Sequence, residues 1–350
     1  METWRRLFFC GDRGSPRNPR RSRTMRQRSL AAAIAVLTCG TGFPQNDDWR
    51  SRMHEGAAAE TLGDYVSATS SYRAATEIAE HFDRGDRRRG ISWNSLSLMY
   101  DALGRCAEAQ AGYRRAIKEI AESSGKAGPD YALVLANLGA SYVETGQTGA
   151  GEKLLRDAVA IYSAADPPDK LRIAVAQNGL AEALCIIHKY KEADPLLTGA
   201  LAVLEKNPSS WGETALAKNN LGIVRLFEGD HREARRLLPQ ALEMLEQRLG
   251  PDHPMLVRVL NNLASLEHST GHREEAIQRL RRALDIAEKR LGPEHPSYGL
   301  LLANYAALLR EGGDKSRAKV LEAQSSQILK DSSRRNGLGA VVDINSLRRK

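Results

Sequence analysis

Seven segments of the 350-residue chain keep a common register. Gly229-Asp-His-Arg-Glu-Ala234 returns as Gly271-His-Arg-Glu-Glu-Ala276, and the same spacing links Gly63 to Ala68, Gly104 to Ala109, Gly146 to Gly151, His188 to Ala193 and Gly313 to Ala318. The first residues of successive segments lie 41, 42, 42, 41, 42 and 42 apart. A fixed period of this length means that one supersecondary unit is stacked many times, because no single unit of that size buries its own apolar face.

Other positions stay in step. Seven residues before each segment comes a small residue: Gly56, Ser97, Gly139, Ala181, Gly222, Ala264 and Ala306. Seven after its last residue comes another: Ala75, Ala116, Ala158, Ala200, Ala241, Ala283 and then Ser325. Between them apolar residues recur at helical spacing, as in Leu237, Leu242 and Leu245 or Ile277, Leu280, Leu284 and Ile286. Each unit therefore reads as a helix, a turn at the glycine and a second helix, with small residues where neighbouring helices cross closely. Ala- and Leu-rich composition with only 5% aromatic residues agrees with helices rather than a β-sandwich. His188 stands where the other turns have glycine or its equivalent, and is expected to strain or widen that turn.

The connectors have their own logic. Gly250 and Gly292 suit a left-handed helix end, Pro251 and Pro293 stop the helix, and Pro254 and Pro296 suit the first turn of the next. Asp252 and Glu294 place negative charge near that helix start. His253 and His295, one repeat apart, read as turn residues closing their own connectors.

This pattern resembles the tetratricopeptide repeat, lengthened from the usual 34 residues to about 42. With Leu249-Gly-Pro-Asp-His-Pro254, Leu291-Gly-Pro-Glu-His-Pro296 and Leu260-Asn-Asn-Leu-Ala264 it is similar to the kinesin light chain type, which is widespread in bacteria. The resemblance covers roughly residues 47–330, in units of about 47–84, 90–124, 130–166, 171–206, 213–249, 255–291 and 297–330, followed by a basic tail over 331–350. It implies an all-α, right-handed α-solenoid of about seven antiparallel helix pairs. It also implies non-catalytic binding of a protein or extended peptide in the concave groove, without a cofactor. The other functional class is a regulatory or sensor repeat protein of a cytoplasmic signalling pathway.

The candidate groove residues are asparagines. Two or three positions before the small residue of the first helix stand Asn94, Asn137, Asn178, Asn219, Asn220, Asn261, Asn262 and Asn304. In the resembling family this part of the helix lines the groove. Amide side chains there both donate and accept, so a ladder of them can pair with a peptide backbone. The bland alternative is that they satisfy helix ends or neighbouring repeats. Arg258 and Arg310, one turn to either side, are candidates for holding an acidic side chain or carboxylate. Equivalent positions hold Leu133, Val175, Leu216, Leu226 and Leu300, so the groove should be mixed and without a uniform carboxylate clamp.

Charge and motifs narrow the remaining classes. The net charge of +8 comes from the ends: nine arginines against Glu2 and Asp12 in residues 1–30, and a net +3 in the last twenty residues. The repeats are close to neutral, which argues against nucleic acid as the partner. No phosphate-cradling loop, nucleophile elbow or paired catalytic acids occur, and His268 and His272 flank a turn glycine rather than sharing a helix face, so neither catalysis nor a metal site is expected. Cys106 and Cys185 read as small helix residues.

The amino terminus has an export pattern. Arg26 and Arg28, the apolar run Leu30-Ala-Ala-Ala-Ile-Ala-Val-Leu37 and the small residues after it make a signal peptide over 25–42 that begins at Met25. Residues 1–24 then read as a non-native or disordered basic extension. The expected location is periplasmic or secreted, with cytoplasmic as the alternative. Val36-Leu37-Thr38-Cys39 resembles a lipoprotein box, making Cys39 a candidate lipid anchor, although Leu37 and Thr38 depart from the usual small residues. No apolar run approaches a transmembrane span.

Overall fold

A computed structural model describes residues 44–336. Among them are fourteen α-helices and no strand: α1 (Pro44–Thr61), α2 (Tyr65–Ala79), α3 (Arg87–Ala102), α4 (Cys106–Ser124), α5 (Pro129–Glu144), α6 (Thr148–Ser163), α7 (Lys170–Ile186), α8 (Tyr190–Leu204), α9 (Trp211–Glu228), α10 (His231–Leu249), α11 (Leu256–Ser269), α12 (Arg273–Arg290), α13 (Pro296–Glu311) and α14 (Lys315–Asn336). They pair consecutively into seven hairpins, and each hairpin stacks on the next. The expected signal peptide over 25–42 with Met25 and Cys39, residues 1–24 and residues 337–350 of the basic tail lie outside the described residues.

The small residues mark the tightest crossings. Ala75, Ala116, Ala158, Ala200, Ala241 and Ala283 are all fully buried. In the third hairpin a Cβ on Gly139 would stand 2.9 Å from the Gly151 carbonyl oxygen, and a Cβ on Gly151 would stand 2.5 Å from that of Gly139. The α5 and α6 backbones approach this closely only because both positions lack a side chain.

The turns follow one geometry. Gly63, Gly104, Gly146, Gly229, Gly271 and Gly313 all have positive φ, from 69° to 91°. His188 takes the same left-handed conformation at φ 61° instead of widening its turn. Its Nδ1 lies 2.7 Å from Tyr190 Oη, and its ring packs edge-on against Tyr190 and Phe227, which stack on one another. These contacts offset the local backbone cost of a non-glycine residue at positive φ.

The carboxy-terminal boundary differs from expectation. α14 runs on to Asn336 rather than ending near 330, and Ser332 is buried. The first residues assigned to a tail therefore continue the last helix.

Curvature brings the two ends of the stack together. The connector ahead of α11 reaches the first hairpin turn: a Cβ on Gly63 would be 2.5 Å from Pro254 Cδ, and the His253 and Tyr65 rings meet edge-on with centroids 6.4 Å apart. The next connector repeats this one unit later. A Cβ on Gly104 would be 2.7 Å from Pro296 Cδ, and His295 Nε2–H donates to the Ala102 carbonyl at 3.2 Å. α14 also touches α4. About five repeats thus complete one turn of the superhelix, and this seam closes it into a ring.

Candidate functional site

The curved stack frames a partly open cavity of about 340 Å³, and every one of the seven hairpins contributes to its wall. The first helices supply most of it: Glu60 from α1, Asp101 from α3, Glu144 from α5, Glu182 and Cys185 from α7, Leu216 and Ile223 from α9, Arg258 from α11 and Leu300 from α13. Ser332 of α14, the connector residue His295 and Pro296 at the start of α13 complete it. The volume lies at the lower end of that of ligand sites and suits a few residues of extended peptide.

The asparagines form rungs between repeats. Asn137 Nδ2–H donates to Asn94 Oδ1 at 2.8 Å, Asn220 to Asn178 at 3.1 Å, Asn262 to Asn219 at 2.9 Å and Asn304 to Asn261 at 2.7 Å. Asn219 also donates to Asn220 at 3.1 Å. All except the half-buried Asn262 are buried. Asn94, Asn137, Asn178 and Asn304 do not line the cavity, so the expectation that the whole ladder faces a peptide is corrected for these four. Each gives one amide atom to a rung of the stack, where an unpaired polar group costs about 1–3 kcal/mol, and Asn137 Oδ1 is buried without a partner. Asn219, Asn220, Asn261 and Asn262 belong to rungs and also line the cavity.

A sequence signal for the rungs exists. An asparagine three positions before the small residue (Asn94, Asn178, Asn219, Asn261) is each time followed in the next unit by one two positions before it (Asn137, Asn220, Asn262, Asn304). Where the third unit has Ala136, the fourth has Gly179. Donor and acceptor are present or absent together.

The two arginines part company. Arg258 lines the cavity and forms an ion pair with Glu182, two repeats back. Burial pushes the Glu182 carboxyl up, but the Arg258 charge and hydrogen bonds from Arg258 and Asn220 outweigh it and hold the group below its usual value. Arg310 is corrected: it lies outside the cavity, pairs with Glu322 of its own hairpin and is half exposed. Of the apolar positions, Leu216 and Leu300 reach the wall, whereas Leu133, Val175 and Leu226 are buried elsewhere in the stack.

Sequence reasoning missed the acidic members of the wall. Tyr72 Oη–H donates to Glu60 at 3.2 Å, and Ser141 Oγ–H to Asp101 at 2.9 Å. Burial, then the neighbouring Glu144 charge, raise the Asp101 pKa well above the usual carboxylate range. Burial raises Glu144 as well, and the Glu182 charge adds to it while Arg258 opposes. Each acid sits on a different repeat, so no local motif announced them. Cys106 and Cys185 line the same wall as free thiols, and burial pushes Cys185 up to about 12. No cluster of three or more metal-ligating side chains occurs among the described residues, and there no helix is long and apolar enough to cross a membrane.

The tetratricopeptide repeat profile matches three overlapping stretches, residues 172–247, 213–289 and 274–331. The chain is a tetratricopeptide-repeat protein. The hairpins ahead of residue 172 keep the same register, turn geometry and stacking.

Among solved structures, this repeat protein is similar to a Rap protein complexed with competence and sporulation factor, at 14% identity and a TM-score of 0.66, over 84% of this chain and 78% of that one. It is likewise similar to the Rap conjugation gene regulator of the plasmid pLS20 in complex with the Phr* peptide, at 14% identity and a TM-score of 0.65, over 86% and 79%. A putative kinesin light chain repeat protein of Podosopora anserina is 25% identical over 59% of this chain and 98% of that one, with a TM-score of 0.43. No curated protein matches the chain. At these identities the Rap structures establish the shared helical superhelix and nothing about ligands.

Proposed function

We propose that the protein is a non-catalytic peptide receptor whose ligand occupies the cavity inside the ring of repeats. The observation that carries this reading is the wall itself. Hydrogen-bonding groups from α5, α7, α9 and α11 converge there among apolar neighbours such as Leu216, Ile223 and Leu300. A few placed polar groups in an apolar enclosure are what orient a bound segment. The rungs hold Asn219, Asn220, Asn261 and Asn262 in fixed positions, so little side-chain entropy remains to be lost on binding. Two proteins of similar fold are complexed with competence and sporulation factor or with the Phr* peptide, which is in keeping with a peptide ligand here.

The second reading makes the ligand a switch, with the protein a regulator in a signalling pathway. The seam favours it. A ring closed by two small contacts is a structure that a ligand in its centre stabilises by mass action.

A displayed library of linear peptides selected on the purified protein tests the receptor reading. Bound peptides should be lost from Leu300→Trp, which fills the cavity from a half-buried wall position. Equal binding to this variant would place the site elsewhere.

For location, the pattern from Met25 supports export. The mature chain should then begin between Cys39 and about Asn46, or at a lipidated Cys39. Amino-terminal sequencing and mass spectrometry of protein from a bacterial host read this directly, and an intact arginine-rich start on cytoplasmic protein refutes it.

A further inference from the structure

The cavity wall is unbalanced in charge. Glu60, Asp101, Glu144 and Glu182 contribute four carboxyls, and Arg258 is the single Lys or Arg among the described lining residues. Arg258 is engaged by Glu182, and Glu60 and Asp101 accept hydroxyl hydrogen bonds. Glu144 is different. It makes neither a hydrogen bond nor an ion pair with any described residue. The residue is half-buried, and Arg258 acts on its carboxyl only from beyond ion-pair distance, so a cation brought into contact with it is favourable.

A second observation also points into the cavity. Asn261 is only 7% exposed, and its Oδ1 is taken by Asn304. Its Nδ2 donor group has no partner among the described residues, although the residue lines the cavity. The donor therefore faces the open space of the cavity, where a ligand acceptor can reach it. Beside it, Asn262 donates through Nδ2 to Asn219, which leaves its Oδ1 to accept. The wall thus offers one unpaired carboxylate, one unpaired amide donor and one amide acceptor.

We propose that the cavity selects a peptide carrying a lysine or arginine side chain, with the cation against Glu144 and a neighbouring peptide unit between Asn261 and Asn262. This rests on the peptide-receptor reading above and specifies its ligand. The cation removes the uncompensated charge, the peptide carbonyl accepts from Asn261, and the peptide N–H donates to Asn262. An acidic side chain meets like charge from Glu144 and Glu182 and is rejected, which supplies specificity as well as affinity.

The test uses the full chain and the displayed library. Selected peptides should be enriched in Lys or Arg. A synthetic copy of one of them should bind Glu144→Gln about ten- to a hundredfold more weakly than the wild type, the range for loss of a charge-assisted hydrogen bond. The same peptide with norleucine in place of the basic residue should bind both proteins alike. Circular dichroism checks the fold of Glu144→Gln, and Glu144→Asp, which keeps the charge on a shorter arm, should recover part of the affinity. Peptides selected without basic residues, or bound equally by Glu144→Gln, overturn this inference and leave the receptor reading standing. If no peptide is selected, the receptor reading fails, and a thermal-shift titration with spermidine decides the charge argument alone. Stabilisation by spermidine that Glu144→Gln abolishes upholds cation capture, and no stabilisation overturns it.

Discussion

Gly104→Ala is a direct probe of ring closure, because Gly271→Ala supplies its control. Both glycines sit in equivalent turns at positive φ, 69° and 83°. An alanine at either position costs about 1–2 kcal/mol for the left-handed backbone alone. At Gly271 the new methyl meets nothing within 4 Å. At Gly104 it would stand 2.7 Å from Pro296 Cδ and 3.3 Å from His295 Nε2, across the seam. Carbon atoms pack at about 3.5–4.0 Å, so the connector must retreat by roughly 1 Å, and overpacking of this kind costs about 1–3 kcal/mol. Gly104→Ala should therefore lose about 2–5 kcal/mol where Gly271→Ala loses about 1–2. Part of the excess should appear as opening of the ring rather than global unfolding. Urea titration gives the stabilities, and small-angle scattering gives the radius of gyration, which should rise for Gly104→Ala only. Equal loss in both variants with unchanged scattering would refute the closed ring and, with it, the cavity that it frames.

Other consequences follow from the same contacts. Asn304→Ala leaves Asn261 Oδ1 without its donor and should destabilise the fold by about 1–3 kcal/mol in chemical denaturation. Ala241→Leu, at a fully buried crossing, should cost roughly 1–3 kcal/mol by overpacking. His253 is buried, accepts from the Met255 N–H through Nδ1, and has its pKa lowered by burial to about 4. The unfolded chain takes that proton near pH 6.5, so this contribution is complete above about pH 6.5 and drains away as pH falls to 4. The gap corresponds to roughly 3 kcal/mol. The stability difference between wild type and His253→Asn should therefore shrink across this window, and a constant difference would contradict it.

The hairpins and their turns were legible because they are local and repeated. Gly63, Gly104 and their equivalents announce a left-handed residue wherever they stand, and Ala75 to Ala283 announce a crossing whatever their neighbours. His188 shows the limit of this logic. The register assigned it a turn, but only its contacts with Tyr190 and Phe227, the latter from the next repeat, show how a non-glycine residue is accommodated there. His253 and His295 read correctly as closing their own connectors, through Nδ1 acceptance from Met255 and Ser297. Their second function, packing across the seam, joins residues about 190 positions apart and leaves no local trace.

The asparagines mark the same division. Their recurrence was visible, but whether amides at that offset face a ligand or one another depends on the rise and rotation between hairpins. That rotation sets the rungs, and accumulated over about five repeats it brings Gly63 to Pro254 and turns Glu60, Asp101, Glu144 and Glu182 onto one wall. Period and residue type determine the unit, because its helices and turn are settled by neighbours in the chain. The ring, its seam and its acidic interior belong to the tertiary structure. They arise from a small rotation summed over many units, and no single unit encodes that sum.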